Sequence, residues 1–251
     1  MNDRELTFAA QAIRDADSVV AMSGAGVSTA SGIPDFRSED GLWNEYDPND
    51  FHISRFHADP EGFWAERADL VEDVFGDADP NAAHDALARL ERAGHLDGLI
   101  TQNVDGLHQK AGTEDPIELH GNGQRVVCRG CRHRTDADGV FDRVRNGDLP
   151  PTCERCDGVL KPDVVLFGEQ LPKHELFRAH ALSERADVFL VVGSSLTVEP
   201  AASLPQTAFE RGATLVVVNL DPTTVSSRAE YDFRADVTDA VPRLVDAVLD
   251  G

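Results

Sequence analysis

Apolar residues at Leu6, Ala9, Ala10 and Ile13 recur at helical spacing through residues 5 to 16, and Asp17-Ser18 ends the pattern. The repeat predicts an amphipathic helix at the start of the chain. The next run, Ser18-Val19-Val20-Ala21-Met22-Ser23, is short, continuous and closed by Gly24. Apolar runs of that length without alternation mark strands buried on both faces of a parallel sheet. Similar runs return at Gly98-Leu99-Ile100-Thr101, Val188-Phe189-Leu190-Val191-Val192 and Thr214-Leu215-Val216-Val217-Val218. A helical pattern precedes each of them, over Ala82 to Ala93, Glu175 to Arg185, and Ala201 to Arg211 with Pro205 near its start. Strand alternating with helix predicts an α/β fold on a doubly wound, Rossmann-like parallel sheet.

Two stretches leave this rhythm. Residues 38–79 are rich in acids and aromatics, among them Trp43, Tyr46, Phe51, Phe56, Phe63, Trp64 and Phe75, and are expected to form helices over the ligand site. Residues 124–160 contain all four cysteines. With no internal repeat or low-complexity linker, both read as insertions in one fold. The expected division is a Rossmann-like sheet domain of residues 1–37, 80–123 and 161–251, and a small domain made of the helical insertion 38–79 and the cysteine module 124–160.

Cys128-Arg129-Gly130-Cys131 and Cys153-Glu154-Arg155-Cys156 are two C-x2-C knuckles with 21 residues between them. Such a pair supplies four thiolates for one tetrahedral zinc, and a closed set of four sulfurs leaves no open position for catalysis. The zinc so expected is structural. Two disulfides or free thiols are the alternative, which an intracellular setting disfavours. His133, beside the first knuckle, is read as an exposed histidine although it could compete as a ligand.

Charge changes the picture further. The chain has 45 acidic against 23 basic residues, a net charge of −22 and a pI near 4.6. Its only lysines are Lys110, Lys161 and Lys173. Such a surface repels itself in dilute solution, and salt relieves the repulsion as the Debye length falls to roughly 3 Å at 1 M. A high-salt cytoplasm is therefore expected, an ordinary acidic enzyme being the alternative. Direct nucleic-acid binding is disfavoured because no basic stripe is available to neutralise phosphates, although Arg125, Arg129, Arg132, Arg134 and Arg155 cluster locally. The first residues are acidic where a signal peptide is basic, and no apolar run reaches bilayer length, so a cytoplasmic protein without a membrane partner is expected.

The candidate chemistry begins at Gly24-Ala25-Gly26-Val27-Ser28-Thr29-Ala30-Ser31-Gly32, directly after the first strand, where a dinucleotide fold places its pyrophosphate turn. Its glycines let backbone N–H groups approach a phosphate closely, and Ser28 and Thr29 can add hydroxyl donors. The spacing is not the usual dinucleotide fingerprint, so the loop alone also reads as a plain turn. In Thr101-Gln102-Asn103-Val104-Asp105-Gly106-Leu107-His108, Asn103 and Asp105 can converge on one pocket or serve as turn residues. His120, in Glu118-Leu119-His120-Gly121, is a candidate general base because an imidazole titrates near neutrality; read singly, it is equally a core or surface histidine. Gly193-Ser194-Ser195 and Asn219 follow strands, at the sheet end where open α/β folds bind ligands.

Ile33-Pro34-Asp35-Phe36-Arg37 completes a motif that resembles the sirtuins, NAD-dependent protein lysine deacylases, of the compact bacterial and archaeal type. The resemblance covers nearly the whole chain. It includes Thr101 to His108, Glu118 to Gly121, both cysteine pairs, Lys161-Pro162-Asp163-Val164-Val165-Leu166-Phe167-Gly168-Glu169, Gly193 to Ala202, and Val218-Asn219-Leu220. It implies an NAD-dependent deacetylase that transfers the acetyl group of acetyl-lysine to ADP-ribose, releasing nicotinamide and O-acetyl-ADP-ribose. NAD is then a consumed co-substrate, and one structural zinc belongs to each chain.

By the same resemblance His120 is the base acting on the ribose hydroxyls, while the acetyl oxygen attacks the ribose carbon and expels nicotinamide. Asn103, counted as catalytic with it, and Gln102 contact the nicotinamide ribose. Asp105 and the Val104 backbone hold the nicotinamide amide. Phe36 covers the ring and blocks its return, Arg37 sits near the phosphates, and Asp35 braces the loop formed with Gly24, Ala25, Gly26 and Thr29. Gly193, Ser194 and Ser195 serve phosphate and ribose, and Asn219, Leu220 and Asp236 the adenosine side. Val164, Val165, Phe167 and Gly168 on one side, with Leu196 and Val198 on the other, clamp an extended acyl-lysine peptide by main-chain pairing. Leu166 stands where relatives often carry an aromatic, and Lys161 where they often carry arginine. Relatives that prefer succinyl or malonyl lysine carry Tyr-x-x-Arg in the first excursion. An ungapped alignment puts Arg67 and Leu70 there, so acetyl is expected, although Trp64-Ala65-Glu66-Arg67 imitates the pair. Substrates implied by analogy are chromatin proteins and metabolic enzymes such as acyl-CoA synthetases.

Four other readings fit parts of the chain: another acyl or ADP-ribosyl specificity in the same family, a non-catalytic sensor of NAD or ADP-ribose, a zinc-ribbon nucleic-acid binder, and a hydride-transfer dehydrogenase. His120, Asn103 and Asp105 together disfavour the sensor, and the missing glycine fingerprint disfavours the dehydrogenase. The charge balance makes its own prediction. The melting temperature rises as KCl is taken from dilute to molar, and a fall over that range rejects the high-salt reading.

Overall fold

Asn2 caps the first helix by accepting the Arg4 N–H at 3.1 Å, and Leu6, Ala9, Ala10 and Ile13 form its buried face. This computed structural model describes residues 2–36, 38, 41–76 and 78–251. Helix α1 (Asp3–Asp15) leads into β1 (Val19–Ser23), and α2 (Ile53–Ala58), α3 (Pro60–Phe75) and α4 (Ala82–Arg92) follow. Then come β2 (Gly98–Thr101), α5 (Leu107–Ala111), β3 (Ile117–Glu118), β4 (Gly121–Cys128), β5 (Arg134–Asp136), α6 (Asp138–Arg145) and β6 (Leu160–Val164). The chain closes through α7 (Lys173–Ser183), β7 (Val188–Val192), α8 (Leu204–Glu210), β8 (Thr214–Asn219), β9 (Tyr231–Arg234) and α9 (Val237–Leu249).

Six strands form one parallel sheet in the order β3-β2-β1-β7-β8-β9. The strand order reverses between β1 and β7, which makes their C-terminal ends the switch point of a doubly wound fold. Successive residues of β1 serve opposite cores: Val19 and Ala21 pack among residues of α1, α4 and α9, whereas Val20 and Met22 pack among residues of α7 and α8. Burial on both faces explains the unbroken apolar runs.

A three-stranded antiparallel sheet, β5-β4-β6, carries the cysteines. Its core is shared with the helical excursion: Phe56, Phe63, Trp64 and Ala68 pack with Val126, Phe141, Leu160 and Val164. Trp64 anchors the contact, donating its indole N–H to the Leu160 carbonyl at 2.8 Å and meeting the Phe141 ring edge-on at 5.6 Å. An ionic chain joins the two sheets, from Glu118 in β3 to Arg125 in β4 at 2.5 Å, and onward to Asp163 in β6 at 3.2 Å.

Two differences from the sequence reading have simple causes. The helix expected over 201–211 begins as a short 3-10 turn at Ala201–Ser203, and α8 starts at Leu204 so that Pro205 falls in its first turn. Proline is tolerated there because that turn's N–H groups lack partners in any case. Strand β9 was not signalled because it lies at the sheet edge and buries only Phe233 of its four residues.

The four cysteine sulfurs lie within 4.8 Å of one another, with Cys128–Cys156 at 3.4 Å and Cys131–Cys153 at 3.8 Å. A tetrahedron of ~2.3 Å Zn–S bonds has sulfur–sulfur edges of about 3.8 Å, so the donor set fits one zinc. Elemental analysis should find one zinc per chain. Chelation should remove on the order of 10 kcal/mol of local folding free energy and expose Trp64, shifting its emission to the red. Unchanged emission after full metal loss contradicts that dependence.

Candidate active site

At the switch point the turn after β1 meets the turn after β7 backbone to backbone. Gly24 N–H donates to the Val192 carbonyl at 3.1 Å and Gly26 N–H to the Gly193 carbonyl at 2.9 Å. Gly193 has φ of +56°, and a Cβ on it would lie 2.4 Å from the Val27 nitrogen, so both the conformation and the spacing demand glycine. The loop from Ala25 to Ser31 folds as two short 3-10 turns. Its backbone N–H groups are therefore presented by turns and not by the start of a long helix.

A cavity of about 340 Å³ opens above this contact. Gly24, Ala25, Gly26, Thr29, Asp35, Phe36, Gln102, Asn103 and His120 line it, with Gly193, Ser194 and Ser195. Asn219, Leu220 and Asp236 line it as well, and Leu220 is 68% exposed. Asp236 caps α9, accepting the Thr238 N–H at 2.7 Å, and hydrogen bonds from Thr238 hold its carboxyl below the usual range.

Gln102 links two of these lining residues. Its side-chain amide donates to Ser194 Oγ at 2.8 Å, and its carbonyl accepts from His120 Nδ1 at 2.8 Å. A carbonyl only accepts, so Nδ1 carries the proton and Nε2 is left with the lone pair. Burial pushes the His120 pKa below its ordinary 6.5, against the smaller opposing pull of the Gln102 hydrogen bond. The imidazole is thus neutral near pH 7 and able to accept a proton.

Behind this wall lies a polar network that the sequence did not reveal. Ser28 Oγ donates to Asp105 at 2.8 Å and accepts from the Asn103 amide at 3.1 Å, tying the glycine loop to the loop after β2. His84 and His108 pack ring to ring at 4.8 Å beneath it, and His108 Nε2 pairs with Ser23 Oγ at 2.8 Å. Burial, reinforced by His84, lowers the His108 pKa to about 3, and burial lowers that of His84 as well. Both rings are neutral framework. His84 had read as one more position in an amphipathic helix, and His108 as the end of a motif.

The backbone from Val164 to Gly168 already has several of its partners within the chain. Val165 N–H donates to the His120 carbonyl at 2.8 Å and Phe167 N–H to the Phe51 carbonyl at 3.0 Å. Lys161 is buried, with its ammonium 2.8 Å from Glu169 and 2.6 Å from the Val164 carbonyl. Glu169 also accepts the Leu166 N–H at 3.0 Å, so this buried pair shapes the turn from Val164 to Gly168.

Several expected positions fall elsewhere. Val104 and Asp105 do not line the cavity; the Asp105 carboxylate turns inward, one oxygen to Ser28 and the other to the Leu107 N–H at 2.9 Å. Val164 is buried in the small core, and its backbone pairs with Gly121. Leu196 is likewise buried, at φ +52°, and Val198 lines the cavity itself. Arg37 lies outside the described residues. Ser38, Thr197, Asp221 and Val237 line the cavity without having been given a role; Thr197 lies within the Gly193 to Ala202 motif and the other three adjoin named residues. None of the four cysteines lines it.

Comparison with known proteins accords with this geometry. A model of the Sir2 family matches residues 24–200. An NAD-dependent protein deacetylase of Haloarcula marismortui is 54% identical over 244 residues, covering 96% of this chain and 94% of the relative. Among solved structures, a Sir2 homologue complexed with NAD is 41% identical with a TM-score of 0.87, covering 100% of this chain and 94% of that one. A Sir2 protein bound to a p53 peptide and NAD+ is 36% identical with a TM-score of 0.87, covering 100% of both chains. With its switch-point cavity and four-cysteine sheet, the chain belongs to the Sir2 family.

Proposed function

We propose that the protein is an NAD-dependent lysine deacetylase that moves the acetyl group of a protein acetyl-lysine onto ADP-ribose, with release of nicotinamide. The observation that carries the reading is a half-buried, neutral His120 lining the switch-point cavity, its protonated Nδ1 held by Gln102. NAD, when bound, supplies the ribose carbon whose bond to nicotinamide is broken. His120 Nε2 receives a proton from a ribose hydroxyl as the acetyl oxygen becomes bonded to that sugar. Asn103, fixed through Ser28, positions the same ribose, and Phe36 screens the nicotinamide end from water. The glycine turn with Thr29, Ser194 and Ser195 offers N–H and O–H donors to the phosphates.

Acetyl is the acyl group best supported. Trp64, the aromatic member of the Trp-x-x-Arg spacing, is fully buried with its indole N–H bonded to Leu160, and it offers no hydroxyl to an acyl carboxylate. Arg67 lies over the Phe51 ring at 5.4 Å. Protein or peptide substrates are supported by the solved Sir2 complex with a p53 peptide and by another with a propionylated peptide. A protein of the high-salt cytoplasm is supported by the charge of −22 and by a 54% identical relative in Haloarcula. Among the described residues no helix is long and apolar enough to cross a membrane.

His120→Ala should lower NAD-dependent acetyl-lysine turnover by roughly 10² to 10⁴, while zinc content and melting temperature stay unchanged. In the unsubstituted enzyme, kcat/KM should fall on acidification with a midpoint below 6.5, because the base is lost only once its lowered pKa is crossed. Retained turnover in the alanine variant rejects His120 as the base. Equal rates on acetyl and succinyl forms of one peptide reject the acyl preference.

A further inference from the structure

Trp43 stands where the cofactor loop, the helical excursion and the peptide edge meet. Its ring lies 5.2 Å from that of Phe36, 5.2 Å from that of Phe51 and 5.8 Å from that of Phe167. The backbone repeats the linkage. Trp43 N–H donates to the Phe36 carbonyl at 3.2 Å and Leu42 N–H to the Asp35 carbonyl at 2.8 Å, so residues 35–36 and 42–43 are clasped together. Phe167 is bonded in turn to the excursion, its N–H to the Phe51 carbonyl at 3.0 Å and its carbonyl accepting from Ile53 at 2.9 Å.

The two ends of this aromatic series have different surroundings. Phe36 lines the cavity beside Asn103 and His120, whereas Phe167 is 44% exposed at the peptide edge. An exposed aromatic at a cleft presents apolar area that a lysine's methylene stem can cover. Rings in contact cannot shift independently, since close-packed groups transmit displacement to their neighbours. Trp43 is the side chain that touches both ends.

We infer that Trp43 is a positioning residue that transmits docking of the acyl-lysine stem on Phe167 to Phe36, setting the cover over the nicotinamide end only when a substrate lysine is in place. The inference rests on the deacetylase reading above. It makes Trp43 a determinant of whether nicotinamide departs for good or returns.

Two variants test it, Trp43→Leu, which removes the ring, and Trp43→Phe, which keeps one. For each, incorporation of labelled nicotinamide into NAD is measured beside acetyl loss from the same peptide, with NAD breakdown in the absence of peptide as a third reading. In Trp43→Leu the ratio of nicotinamide exchange to acetyl loss should rise about tenfold, the scale of one or two lost aromatic contacts. Peptide KM should rise, peptide-free NAD breakdown should stay as in the unsubstituted enzyme, and the pH profile set by His120 should stay in place. Trp43→Phe should restore most of the ratio. Peptide should also change the tryptophan emission of the unsubstituted enzyme, and this response should vanish in Trp43→Phe, because Trp64 is buried in the small core.

An unchanged ratio in Trp43→Leu overturns the inference. So does a parallel loss of both reactions and of melting temperature in the two variants, which is the signature of packing alone. Absence of acetyl loss in the unsubstituted enzyme is a separate result that removes the deacetylase reading itself.

Discussion

The direct contact between the turn after β1 and the turn after β7 is the constraint on which the site depends. With Gly24, Gly26 and Gly193 the two loops share hydrogen bonds of 3.1 and 2.9 Å. A Cβ on Gly24 would lie 2.8 Å from that of Ser194, and one on Gly26 would lie 2.9 Å from the Gly193 oxygen. Side chains at these positions would push the loops apart and widen the crevice at the reversal of strand order. Everything placed in the cavity is measured from this seam. Ser194 reaches Gln102 because its strand is held against β1, and Gln102 in turn orients His120. Ser28 makes the second crossing, binding Asp105 and Asn103 from the far side of the glycine loop.

Burial here works in one electrostatic direction. His84, His108 and His120 all have their pKa lowered chiefly by desolvation, so three imidazoles are held neutral within one region of a strongly acidic protein. For His84 and His108 that neutrality is structural: a charged ring behind Asn103 would need a partner, and Asp105 is already taken by Ser28 and the Leu107 N–H. For His120 the same shift keeps a lone pair available on a ring that lines the cavity. The difference lies in position, not in the kind of shift. The four-cysteine set has no part in this chemistry, but its sheet shares a core with the helical excursion and supplies the edge that carries Phe167.

The sheet was legible because strands buried on both faces need continuous apolar runs, which β1, β2, β7 and β8 have and β9 lacks. The cavity was legible because loops at strand ends carry their polar residues in short motifs, so most residues named from those motifs do line it. What could not be read is orientation. Asn103 and Asp105 are two residues apart on one loop, yet the first faces the cavity and the second turns to Ser28, a choice made by a residue 77 positions away. Val164 and Val165 are adjacent in a motif, yet the first is buried in the small core at the end of β6 while the second, just past the strand, is half-buried. The His84–His108 pair was hidden for a similar reason, since only the fold brings α4 and α5 together.

An acidic chain that binds a dinucleotide must meet two phosphates without a surplus of cations. Among the described residues lining the cavity there is no lysine or arginine, and Asp35, Asp221 and Asp236 are present. Among the described residues, short donors are on offer to a phosphate there: the N–H groups of the glycine turn and the hydroxyls of Thr29, Ser194 and Ser195. Hydrogen bonds act at about 3 Å, the same length to which molar salt reduces the Debye screening distance. Salt therefore suppresses the long-range repulsion from a net charge of −22 while leaving those contacts largely intact. Lysine-based phosphate binding would lose strength under the same screening. Backbone and hydroxyl donors are compatible with both the fold and the charge, and the glycine seam lets that backbone come close.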